Sequence, residues 1–209
     1  MREIPGIEYI TEKSNSIIDS ENSYYSIPFY KDEDYFSNIM ARTNFIKGVE
    51  KMVRSSDRYS KYKNYLLKEV KLNHCSVLKD IDEEDADIEL HHGPVLTLYD
   101  YCDIILEYFI IKGWKITTFA IADKVLTEHE QNRVQCVMLS TTMHEEAHAR
   151  GLFINMKQAW GDINAFVKRY GMAFNDDCKE RFNRYIDRSM MSDSNDYGIL
   201  ELNEKLYNL

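Results

Sequence analysis

Apolar positions recur at three- and four-residue steps over much of the chain, the spacing that gathers them on one side of an α-helix. Phe36, Ile39 and Met40, then Phe45, Ile46, Val49 and Val53, predict helix from about Asp34. Ser55-Ser56 breaks the run, and Tyr59, Tyr62, Leu66 and Val70 carry a second helix toward Lys71. Thr97 with Asp100 three residues on resembles a capping box, and the helix it opens ends at Gly113. A shorter helix fits Ala120 to His129. Asp162 caps a helix with Ile163, Phe166, Val167 and Tyr170 on one face and Gly171 after it; a last helix runs from Cys178 to Met190.

Two segments carry the period of a strand instead. Ile88-Glu89-Leu90-His91 alternates apolar and polar and stops at Gly93-Pro94, and Val134, Cys136 and Met138 alternate with their neighbours. Directly after the second, Ser140-Thr141-Thr142 with Glu145 three beyond Thr142 predicts a capped helix start, and Gly151 ends that helix. The expected fold is therefore α+β and mostly helical. A two-stranded antiparallel hairpin pairs 88–91 with 134–138 and is closed by a helix over 142–150, with a long helical insertion at 94–133 between the strands. Residues 1–34 lack periodicity and are expected to form an extended arm or a loosely packed strand region. The acidic run 80–87 is expected to be a loop, and the tail 192–209 to be peripheral.

Composition narrows the setting. With three Pro and eight Gly in 209 residues, a turn-rich all-β fold is disfavoured. Cys75, Cys102, Cys136 and Cys178 form no CxxC pair, which suits core residues in a reducing compartment. No apolar run follows the basic residue at the N-terminus, so no signal peptide is expected, and Asp100, Asp103 and Glu107 interrupt the most apolar stretch, Leu96 to Ile111. The expectation is a soluble cytoplasmic protein with no membrane partner. The net charge of −9 opposes nucleic-acid binding by the chain as a whole, yet residues 42–71 hold nine basic against three acidic residues. Arg54, Arg58, Lys61 and Lys63 are the candidates for phosphate contact there; the alternative is an ordinary solvated helix face.

The candidate chemistry lies in the histidines. His144 and His148 are four apart, so on a helix both imidazoles project from one face and can hold one divalent ion. Four of the six histidines fall in two tight clusters, His91-His92 at the end of the first strand and His144/His148 on the helix after the second. His74 and His129 are expected to be structural or surface residues.

The segment from Ile88 to His92, followed by Val134 to His148, resembles the HNH endonuclease (ββα-metal, His-Me finger) family. Val53-Arg-Ser-Ser, Cys75 and the run HHGPVLTLYD from His91 to Asp100 extend the likeness to phage-encoded HNH proteins. The resemblance implies a metal-dependent endonuclease hydrolysing nucleic-acid phosphodiesters, DNA in the first instance, in a host cytoplasm. It implies His91, His144 and His148 as ligands of one divalent ion (Zn, Mn, Ni or Mg) and His92 as general base. Gln135 falls where the family has the Asn that braces the base. Under this reading the chain divides into an arm (1–34), a basic helical region (35–72), the nuclease core (73–170) and a C-terminal helix with tail (171–209). Two other readings use the same residues: a catalytically inactive HNH-fold binding module, and a zinc protease, since His144-Glu145-Glu146-Ala147-His148 spells HExxH.

Overall fold

Short polar residues punctuate the chain into helices. The computed structural model describes residues 31, 33–149, 151–192, 203 and 205. Within them α1 spans Glu33–Ser37, α2 Ile39–Arg54, α3 Asp57–Lys68, β1 Ile88–His92, α4 Leu98–Ile111, α5 Thr118–Glu130, β2 Cys136–Ser140, α6 Thr141–His148, α7 Ile163–Tyr170 and α8 Asp176–Met191. Ser56, Thr97, Thr117 and Asp162 each accept a first-turn backbone N–H that has no partner inside the helix. The capping box of Thr97 and Asp100 is complete. The break at Ser55-Ser56 is real and separates α2 from α3.

One expected cap is absent. α6 begins at Thr141, and the side chain of Ser140 makes no capping bond. Ser140 is instead the last residue of β2, paired with Ile88, and its hydroxyl is buried without a partner. Glu145 therefore closes no capping box.

The described residues are mostly helical with one two-stranded antiparallel sheet, an α+β arrangement. The register pairs Ile88 with Ser140, Leu90 with Met138 and His92 with Cys136, and α4 and α5 lie between the strands in sequence. All five residues of β2 are buried. Its alternation is hidden because both faces are covered by apolar groups: Cys136 and Met138 join the large helical core, while Val137 and Leu139 join a small cluster with Cys75, Ile154 and Ala159. Trp160 adds a bridge on the outer side of Cys136 through two backbone hydrogen bonds of 2.8 and 2.9 Å. The next residue, Gly161, has φ +122°, and a Cβ there would meet the Val134 carbonyl oxygen at 2.4 Å, so only glycine fits.

The large core sits between α2, α3, α4, α5 and α7. Tyr101, Leu106, Ile121 and Phe166 are among its fully buried side chains. Charged groups tie the helices at its edge. Arg42 on α2 reaches Asp103 and Glu107 on α4, at 2.6 and 2.8 Å. Glu128 on α5 is fully buried; it accepts from Tyr170 Oη at 2.7 Å and from Arg133 at 2.8 Å, with Lys124 at 3.3 Å. Burial pushes the Glu128 carboxyl up, but these donors and charges outweigh it and hold it below the usual range.

The expected arm 1–34 falls mostly outside the described residues; of the rest, Lys31 donates its backbone N–H to Ile116 and residues 33–37 are helical, because Phe36 is buried against Phe45. The tail also differs from expectation at one point. Asn203 is buried, accepting from the Gly161 N–H and donating to the Ala159 carbonyl, so this tail residue is part of the packed structure. No helix among the described residues is long and apolar enough to cross a membrane.

Candidate metal centre

Successive residues of a strand point to opposite faces, and this divides the histidine pair of β1. His91 shares a face with Glu89 and turns toward α6; His92 shares the other with Leu90 and enters the helical core. On α6, the four-residue spacing stacks His144 and His148, with ring centroids 4.6 Å apart. The His91 ring lies 5.1 Å from each of them. One potential ligand atom from each of the three lies within 4.8 Å of the others. The Nε2 atoms of His144 and His148 are 3.1 Å apart. Two nitrogens on a tetrahedral metal at 2.0–2.1 Å are separated by about 3.3 Å, so the spacing of this pair is near that of two ligands of one ion, and His91 is the third imidazole of the cluster.

Glu89 holds the other end of His144. Its carboxylate accepts a hydrogen bond from Nδ1, which fixes the tautomer and leaves the Nε2 lone pair facing the other two imidazoles. Ligation needs neutral imidazoles, and the surroundings of His91 and His148 favour that form. Burial, then the neighbouring His144, His148 and Arg54, push His91 down to about 4. His148 is lowered by burial, by His144 and by Arg54. In sequence Glu89 is the end of an acidic block; its place two residues before His91, hence on the same strand face, is the signal that identifies its role.

His92 does not stand at this centre as a base. It is buried, its Nε2 is 2.9 Å from His129 Nε2, and its ring stacks on Tyr59 with centroids 5.9 Å apart. His129 donates Nδ1–H to the Val125 carbonyl at 2.7 Å, so its Nε2 must accept, and His92 Nε2–H is the donor. Burial, followed by the His129 and Arg54 charges, pushes His92 well below the usual range. A histidine spent on an internal hydrogen bond in the core has no access to an attacking water. Gln135 does not brace it: its amide N–H donates to the Met156 carbonyl at 3.3 Å, and its buried Oε1 has no partner.

The four basic candidates divide between two surfaces. Arg54 and Lys63 line a cavity of about 390 Å³ with Tyr59, Asn64, Glu89 and His144. Arg58 and Lys61 line another, of about 380 Å³, beside Glu130. Arg58 is committed to Asp123, Thr127 and Glu130 on α5. The stretch is therefore not one phosphate-tracking stripe.

A family model described as Bacteriophage G278-like virion protein matches residues 4–208. The chain belongs to this family of virion proteins. Comparison with curated proteins and with solved structures gives no match. Membership corrects the resemblance to HNH endonucleases and with it the nuclease assignment: the family is one of phage particle proteins. It also removes the zinc-protease and inactive-HNH-module readings. The expected link to phage stands. The strand-strand-helix order that suggested a nuclease brings three histidines together, and it leaves His92 and Gln135, the expected base and brace, apart from them.

Proposed function

We propose that this chain is a structural, non-catalytic component of a phage particle, and that His91, His144 and His148 hold one divalent transition metal as an internal cross-link. The match to a virion protein family over residues 4–208 carries the structural role. The convergence of three imidazoles, one of them oriented by a carboxylate, supports the metal. Imidazole ligands favour Zn²⁺ or Ni²⁺ over Mg²⁺.

A cross-link fits what α6 lacks. The helix has eight residues, none buried, and no side-chain cap. Helices this short are marginal on their own. Only Met143 and Ala147 rest on the small cluster. A metal shared with His91 fastens α6 to a strand anchored in the large core.

The test uses chelator-stripped protein reloaded with Zn²⁺. Expected are one ion per chain by elemental analysis and, at about 100-fold over Kd, a rise in Tm of about 5–10 °C. His148→Ala removes both. Nuclease and protease assays stay at background with every metal. Mass spectrometry of purified particles finds the chain among the structural proteins. A chain that takes up no metal refutes the cross-link, and a chain missing from particles refutes the structural role.

A further inference from the structure

Glu89 and His91 alternate along β1, and Gly93 follows the last residue of the strand. The Gly93 N–H donates to the Gln135 carbonyl at 3.2 Å, which carries the antiparallel ladder one step past His92. Glu89, His91 and Gly93 therefore share one strand face, the one turned toward α6. The first orients His144 and the second belongs to the imidazole cluster. The third has no side chain, and what it leaves open is specific.

Packing, and not a hydrogen bond, holds the His91 ring. His144 is fixed by the Glu89 carboxylate at Nδ1 and faces His148 through Nε2. Neither ring nitrogen of His91 has a hydrogen-bond partner among the described residues. The ring is half-buried and stands 5.1 Å from each of the other two. Gly93 is buried beside it. A Cβ on Gly93 would lie 3.2 Å from both Nε2 and Cδ2 of His91, and these are the contacts it would make beyond its chain neighbours. Carbon atoms pack best at about 3.5–4.0 Å, so the ring would have to give way. The φ of Gly93 is not among the positive values, unlike those of Gly113 and Gly161, so the backbone does not demand glycine here. The space beside His91 does.

We infer that Gly93 is a positioning residue of the metal centre, and that its bare Cα lets the His91 imidazole stand where it meets both imidazoles of α6. The inference rests on the metal reading above. An imidazole is rigid, so a methyl group bearing on its Nε2–Cδ2 edge displaces both ring nitrogens together. A metal site tolerates errors in ligand distance of only about 0.2 Å. His144 has a hydrogen bond that would restore its orientation, and His91 has none. One strand face thus supplies an orienting carboxylate, an imidazole and the room that imidazole needs, at alternate positions.

The experiment measures Zn²⁺ affinity by competition against a chelating dye, and the urea midpoint of the metal-free protein. Gly93→Ala weakens Zn²⁺ by about tenfold, the low end of the range for groups that act through a ligand. The metal-free midpoint does not fall, because alanine is the stiffer residue in the unfolded chain. The same change is then made in a His91→Cys background, where a thiolate on a short stem replaces the ring as a zinc ligand. There Gly93→Ala leaves the affinity unchanged, since no ring remains for the methyl group to displace. Equal or tighter Zn²⁺ binding in Gly93→Ala overturns the inference and leaves the metal reading standing. So does a loss matched by a lower metal-free midpoint, which would mark general damage to the strand, or an equal loss in the His91→Cys background. If the parent protein takes up no Zn²⁺, the metal reading falls and takes this role of Gly93 with it.

Discussion

The carboxylate of Glu89 orients His144, one of the three proposed ligands. Glu89→Ala removes both the hydrogen bond and the charge and should weaken metal binding by 10- to 100-fold, a typical range for such partners. Glu89→Gln keeps an acceptor and should lose less. Competition against a chelating dye measures both, and equal affinity in all three proteins would deny Glu89 this role. His92 gives the opposite pattern. His92→Ala leaves metal affinity unchanged but empties a site against Tyr59 and strands the His129 Nε2 lone pair, costing about 2–4 kcal/mol in urea unfolding. The sequence shows both histidines as one motif; only the pleat, with the strand continuing through His92, turns them to opposite faces.

At the scale of elements, the expected weak point is α6. In chelator its amides should exchange with solvent far faster than those of α4, which is buried along its length, and Zn²⁺ should slow exchange in α6 selectively. Hydrogen-exchange mass spectrometry reads this directly; protection of α6 that ignores metal would contradict a cross-link at His144 and His148. Helix starts were largely legible because a cap is a local contract between neighbours, as at Ser56, Thr97 and Asp162. The expected box of Thr142 and Glu145 does not form because Ser140 pairs with Ile88, far away in sequence, and the helix starts at Thr141, which places Thr142 inside it. The same distance separates Glu89 from His144, so the orienting bond could not be read from spacing alone.

For the molecule as a whole, buried ionisable groups set the response to acid. Burial holds His129 neutral in the folded chain, down to about 4, whereas the unfolded chain takes up its proton near 6.5. The folded pKa is the lower one, so this stability is complete above 6.5 and is lost as pH falls from 6.5 toward 4. Glu128, also lowered on folding, adds a further loss below about 4.5. Urea midpoints taken with chelator present should therefore fall steadily through this window; a flat profile from 6.5 to 4.5 would be incompatible with a neutral, buried His129. Function was the least legible level. Histidine spacing points to a cluster of imidazoles, but the chemistry done there depends on a base and an open water. The fold spends His92 inside the core and Arg58 on Asp123 and Glu130.

The strands that meet at the histidines are separated in sequence by α4 and α5. His91 and His144 can therefore share an ion only once the chain between them has closed and brought β1 beside β2, a non-local closure expected late in folding. An interaction made only after the transition state leaves the folding rate almost untouched and acts on escape from the native state. Metal should lengthen the lifetime of the folded chain far more than it hastens assembly. For a protein of a particle that waits between hosts, the relevant quantity is that lifetime: how slowly the chain lets go once its last contact has closed.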